Sequence, residues 1–117
     1  MVRGITAGQL KVSHYATADG MVGLVLDRSG AQPKLRLDGQ RDVLELTVEA
    51  DGNYQTVDRW LFRGPDGQVR VLLDARSGVY RWVTPSSFEG LVLTSDAPAD
   101  ALPEATVRAI PPRWGGH

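Results

Sequence analysis

The chain has 117 residues, enough for one domain with a modest core and too few for two. Its net charge of −1 gives no bulk attraction to nucleic acid or anionic lipid. It has no cysteine, which excludes disulfides, thiolate metal sites and thiol catalysis and fits a reducing compartment.

Residues 1–9 are small and polar and lack the apolar run of a signal peptide. No stretch is apolar enough to span a bilayer, so a soluble, cytoplasmic chain is expected. Leu10 to Ala16 alternates apolar with polar and predicts a first strand. Asp19-Gly20 is a turn, and Met21 to Asp27 predicts a second strand, apolar on both faces and therefore central or covered. Gly23 inside it marks a bulge or a close packing point. Lys34 to Asp38 alternates with Leu35 and Leu37 inward. Val43 to Ala50 is the cleanest amphipathic strand, with Leu44, Leu46 and Val48 expected inside and Glu45 and Glu49 outside. Asp51-Gly52-Asn53 turns the chain into its central stretch.

That stretch, Tyr54 to Val83, holds two of the three tryptophans and five arginines. Gly64-Pro65-Asp66-Gly67 is its strongest turn: Pro65 presets φ, and Gly67 can take φ > 0. A three-residue loop would set Arg63 opposite Val69, Phe62 opposite Arg70, Leu61 opposite Val71 and Trp60 opposite Leu72. One face then carries Val57, Leu61, Val69, Val71 and Leu73, and the other Trp60, Phe62 and Leu72 with Arg70. Ser77-Gly78 turns into Val79 to Val83, where Tyr80 and Trp82 share a face.

Ser86 and Glu89 match a capping box, but Gly90 limits any helix to one turn. Leu91 to Thr94 is a last strand. From Asp96 the chain is rich in Pro and Gly. The expected division is a β domain over 1–95 and a tail over 96–117, with a short helix at 103–110 and little contribution from 111–117 unless Trp114 anchors it.

Turn spacing predicts an all-β, mostly antiparallel meander of about eight short strands closing into a small barrel, roll or sandwich. His14 and His117 are the only histidines, and nothing has metal-ligand spacing, so no metal or cofactor is expected. No serine sits in a nucleophile elbow. Asp58 and Asp74 could face each other as a carboxylate pair, although nearby arginines would simply neutralise them. Aromatics and arginines suit single-stranded nucleic acid, but the domain lacks the surplus positive charge that such a footprint needs. The expected function is a non-enzymatic protein-interaction or assembly module. Its contact surface would be Trp60, Phe62, Arg70 and Leu72, meeting a protein partner or another copy. The alternative is a barrel that binds a small ligand in an aromatic-lined pocket.

Overall fold

The structure, a computed structural model, describes residues 11–53 and 55–108, with the backbone alone for Phe88. The lead-in at 1–9, Leu10, Tyr54, the 109–110 end of the expected helix, and 111–117 with Trp114 and His117 lie outside the described residues. Nine strands form a single sheet: β1 (Val12–Thr17), β2 (Gly23–Asp27), β3 (Lys34–Leu37), β4 (Leu44–Glu45), β5 (Thr47–Gly52), β6 (Val57–Arg63), β7 (Val69–Asp74), β8 (Tyr80–Thr84) and β9 (Ser87–Pro98). Every strand pair is antiparallel, in the order β4-β3-β2-β1-β9-β8-β7-β6-β5. The described residues contain no helix, and none is long and apolar enough to cross a membrane.

The two ends of that order are consecutive in the chain. β4 and β5 are one stretch broken at Leu46, so the sheet curls round until its ends nearly meet, as a barrel does. This is why nine strands appear instead of eight. Leu46 is the corner: its side chain is wholly buried, and its N–H donates to the Pro33 carbonyl at 2.9 Å. Sharp corners let one strand serve two differently directed sheet segments. The corner also changes the expected burial. Leu46 is core, Leu44 is half-buried, and Val48 beyond the corner is 41% exposed. Glu49 is exposed, as alternation requires, and Glu45 is half-buried.

The barrel interior is filled by side chains. Leu24, Leu35, Leu46, Phe62 and Val71 are fully buried there, with Tyr15, Tyr80, Leu26 and Leu93 around them. The Tyr15 and Tyr80 rings meet edge-on at 5.1 Å, and Arg28 caps this group. Its guanidinium lies 5.5 Å from the Phe62 ring centre and donates to the Tyr80 hydroxyl at 2.7 Å.

Two satellite clusters explain why β2 and the β6–β7 hairpin are apolar on both faces. Outside β2, Val25 and Val43 are covered by Leu102. Outside β6, β7 and β8, Leu61, Leu72 and Val83 pack together.

The Gly64–Gly67 turn forms as its sequence predicts. Gly67 donates to the Gly64 carbonyl at 2.9 Å and takes φ +83°, which a residue with Cβ rarely adopts. Arg63 pairs with Val69, but the next pair is Phe62 with Val71, so Arg70 is an extra residue in a β-bulge. Leu61 then pairs with Leu72, and Trp60 with Leu73. A one-residue slip exchanges sheet faces. Val71 and Leu73 therefore join Phe62 on the inside, and Leu72 joins Leu61 on the outside, correcting the expected register.

The last strand also differs. β9 runs for twelve residues, pairing with β8 and then with β1. The expected helical turn at Ser86 is part of a β-hairpin, with Thr84 opposite Ser87. Gly90 permits this: it takes φ +77°, and a Cβ there would lie 2.6 Å from the Trp82 carbonyl oxygen. Residues 99–108 then cross the outside of β2, β3 and β4 without becoming helical. The expected helix is absent from 103–108 because this backbone is committed elsewhere. Thr106 N–H donates to the Val43 carbonyl at 2.8 Å, and Val107 makes a parallel bridge to Leu44.

Candidate interaction surface

The four residues expected to form one contact patch are dispersed. Phe62 is fully buried in the barrel interior, and Leu72 is 3% exposed on the opposite side of the sheet. Arg70, carried in the bulge, binds Asp66 at 2.6 Å and does not stack on Phe62; that position belongs to Arg28. The physical reason is the bulge, which separates residues that an unbroken register would have aligned. Trp60 remains available at 36% exposure.

Trp60 sits on β6 opposite Ala50 of β5, two pairs beyond Phe62 and Val48 and so on the same face. Cross-strand partners share a face, so Val48, Ala50 and Trp60 continue the interior face past the end of the packed core. There they meet the loop after β2. A groove of about 270 Å³ is lined by Val48, Trp60, Pro33, Ala31, Gly30 and Arg28. It lies where the barrel fails to close. Among the described residues, β5 pairs only with β6, and no backbone hydrogen bond reaches its other edge. A row of main-chain donors and acceptors is therefore presented beside two exposed apolar side chains. On the other face of β5, Glu49 pairs with Arg63 at 3.1 Å and Asp51 with Arg59 at 2.6 Å.

A second cluster joins three elements. His14 on β1 contacts Asp96 through Nδ1 at 2.6 Å and Asp38 through Nε2 at 2.8 Å. The β1–β9 register slips between His14 and Tyr15, leaving Asp96 as the extra residue that reaches the ring. Gly23 supplies the room: a Cβ there would fall 2.2 Å from Asp38 Oδ2 and 3.2 Å from His14 Nε2. The hydrogen bond to Asp38, then that to Asp96, hold the imidazole pKa above its ordinary value. Both ring nitrogens are engaged by carboxylates, so the contacts tie β1 to β9 and to the end of β3. As placed, the cluster works as a clasp.

Asp58 and Asp74 are not paired. Arg59 stands opposite Asp74, whose carboxylate accepts the N–H groups of Ser77 and Arg76. These bonds hold its pKa below the usual carboxylate range, with the Ser77 N–H the larger cause. No group of three or more His, Cys, Asp or Glu among the described residues is arranged to hold a metal ion.

Of the four expected contact residues only Trp60 is exposed, and the β5 edge and the histidine clasp were not anticipated. Gly23 was the one visible signal for the clasp, as a glycine inside a strand. The edge had none, because alternation through Val43 to Ala50 does not reveal the corner at Leu46. No protein-family model matches this chain, and neither a curated protein nor a solved structure matches it.

Proposed function

We propose that this chain is a non-enzymatic protein-interaction module whose contact site is the open edge of β5 and the adjoining Trp60. The occupant is an extended protein segment that adds to β5 as a further strand. Its apolar side chains, on alternate residues, enter the groove beside Val48 and Trp60. Main-chain hydrogen bonds would supply affinity, and side-chain pockets selectivity, as in other strand additions. The observation that carries this reading is the combination of a strand edge that no other described residue pairs with and Val48 and Trp60 exposed alongside it. The filled interior favours this reading over a carrier with an internal ligand pocket, since Phe62, Leu24 and Leu35 occupy the space a ligand would need.

The test is direct. A short synthetic peptide alternating valine with threonine and lysine is titrated into the full chain. The expected result is slower amide exchange along Thr47–Gly52 and a shift in Trp60 emission, taken as the difference from a Trp60→Phe variant. The same peptide N-methylated along one edge keeps its side chains but loses donors, and should not bind. Unchanged β5 exchange at saturating peptide would overturn the reading.

A further inference from the structure

We propose that a second copy of this chain is the segment's source: two β5 strands pair antiparallel about a two-fold axis, joining two barrels through one continuous sheet. This rests on the reading of β5 as a docking edge and names its partner.

Exposed edge strands usually carry lysine, proline, a bulge or an inward charge that opposes pairing with another copy. Thr47 to Asp51 contains no lysine, proline or inward charge, and the one irregularity in the β5–β6 register falls between Asp51 and Gly52, at the far end of the strand from Val48. Its two charges point to the outer face, and each is already offset within its own protomer. Glu49 is bound by Arg63 and Asp51 by Arg59. Two such edges can therefore approach without setting uncompensated carboxylates against each other.

The inner face is equally permissive. Val48 and Ala50 are both exposed, and neither is bulky enough to obstruct a second strand. An antiparallel pair about an axis normal to the sheet keeps inner residues opposite inner residues. Centring it on Val48 sets Val48 against its own counterpart and Thr47 against Glu49 of the second copy. No acidic residue then faces another within Thr47–Glu49. Trp60, opposite Ala50 on the same face, lies one strand in from the seam in each copy. Two tryptophans would then flank the joined edges, where large aromatic anchors contribute most. A two-fold contact of this kind is closed, so it stops at two chains.

The chain has no cysteine, which makes single-cysteine cross-linking free of background. Val48→Cys, Glu49→Cys and Ala50→Cys are prepared separately and oxidised, alongside cysteines on the outer face of β8. Sedimentation of the unmodified chain over a concentration series should give a monomer–dimer equilibrium without larger species. One of the three β5 cysteines should cross-link far faster than the β8 controls. Val48→Lys places like charges at the seam and should raise the dimer dissociation constant about tenfold or more. Its melting temperature at low protein concentration should match that of the unmodified monomer. Ala50→Lys is the second variant should Val48→Lys fail to fold.

A chain that stays monomeric yet still protects β5 on adding the alternating peptide overturns self-pairing and leaves the docking edge standing. A monomeric chain that also ignores the peptide overturns both. Dimers that cross-link only through β8, or an open ladder of larger species, overturn the proposed seam.

Discussion

The two ends of the bent strand at Leu46 are treated oppositely. β4 is short, and its outward edge is sealed by the chain's own tail. Glu45 N–H donates to the Val107 carbonyl at 2.9 Å, and Val43 N–H donates to Thr106 Oγ1 at 2.9 Å. β5 is three times as long and receives no such cover among the described residues. The faces differ in the same sense. Outside β2 and β3, Leu102 is inserted into an apolar cluster and tied by Asp27 and Lys34. Outside β5 and β6, arginine–carboxylate pairs lie at the surface. An edge left open among the described residues, next to an edge closed by Thr106 and Val107, is a selective arrangement. It gives the β5 reading more weight than an exposed strand in a uniformly loose sheet would.

The largest expected effect separates the two halves by their cores. Leu102→Ala truncates the only buried residue of the tail among those described, and should cost about 2–5 kcal/mol. Val48→Ala, on the open edge, should change monomer stability by less than about 1 kcal/mol, because Val48 is already 41% exposed and no core closes over it. Denaturant midpoints for the two variants decide the matter. Equal midpoints would mean that the tail is adherent but not structural, and the comparison would fail.

How much of this was legible in the sequence follows from the range of each signal. The alternation of Leu24 with Leu26, and the Pro65-Asp66-Gly67 turn, are local and produced the correct strands and hairpin. The bulge at Arg70 was not legible, because it depends on competition between ladder pairing and the packing of Phe62 with Val71. The corner at Leu46 was hidden by uninterrupted alternation. Residues 99–108 run without the helix expected from 103 onward because their partners are remote: Leu102 bonds a carboxylate 75 residues earlier. The clasp joins His14 to residues 24 and 82 positions away, and no spacing rule connects them. For the proposed contact, residue type pointed to Trp60, whereas register decided that Phe62 and Leu72 could not accompany it.

The next effect tests what holds the sealed side. Asp27 is fully buried, yet its pKa lies below the ordinary 3.8. Desolvation pushes it up, and hydrogen bonds from Ser29 Oγ, Ser29 N–H and Leu102 N–H, with the Lys34 charge, outweigh that push. A carboxyl depressed by folding adds stability that is fully present above its unfolded value and is lost as pH falls through its folded value. The Leu102 amide should therefore exchange faster in acid below about pH 3.8, while amides between β6 and β7 stay protected. Asp27→Asn puts an NH₂ where one donor must be accepted and should cost about 1–3 kcal/mol at neutral pH. Unaltered Leu102 exchange in that variant would show that apolar packing alone retains the tail.

A smaller effect, opposite in sign with pH, concerns the clasp. The folded pKa of His14 is raised above 6.5. Its contribution to stability is therefore complete below pH 6.5 and disappears as pH rises through the folded value. Titration of the ring by NMR should show the raised midpoint. Asp38→Asn should lower it more than Asp96→Asn, since the Asp38 hydrogen bond is the larger cause. His14→Gln should remove this alkaline loss and leave the acid loss at Asp27 in place. If both persist in that variant, another group is responsible for the alkaline limb.

The smallest expected effect lies on the open side and bears most directly on its role. Glu49 and Arg63 are both substantially exposed, at 55% and 37% of their side chains. Water and salt screen such a pair, so a double-mutant cycle with Glu49→Gln and Arg63→Met should give a coupling of only about 0.2–1 kcal/mol in the monomer. That coupling should shrink further as salt is added. A value of several kcal/mol would mean that electrostatics fasten β5 as firmly as the tail fastens β4, and the contrast between the two edges would vanish. Association should respond differently from folding. Arg63→Met leaves Glu49 uncompensated at a seam where two copies approach, and pairing should weaken although the monomer scarcely notices. Glu49→Gln removes the carboxylate itself and should leave pairing intact or strengthen it. If both substitutions change association alike, the arginine acts on packing rather than on the charge it faces.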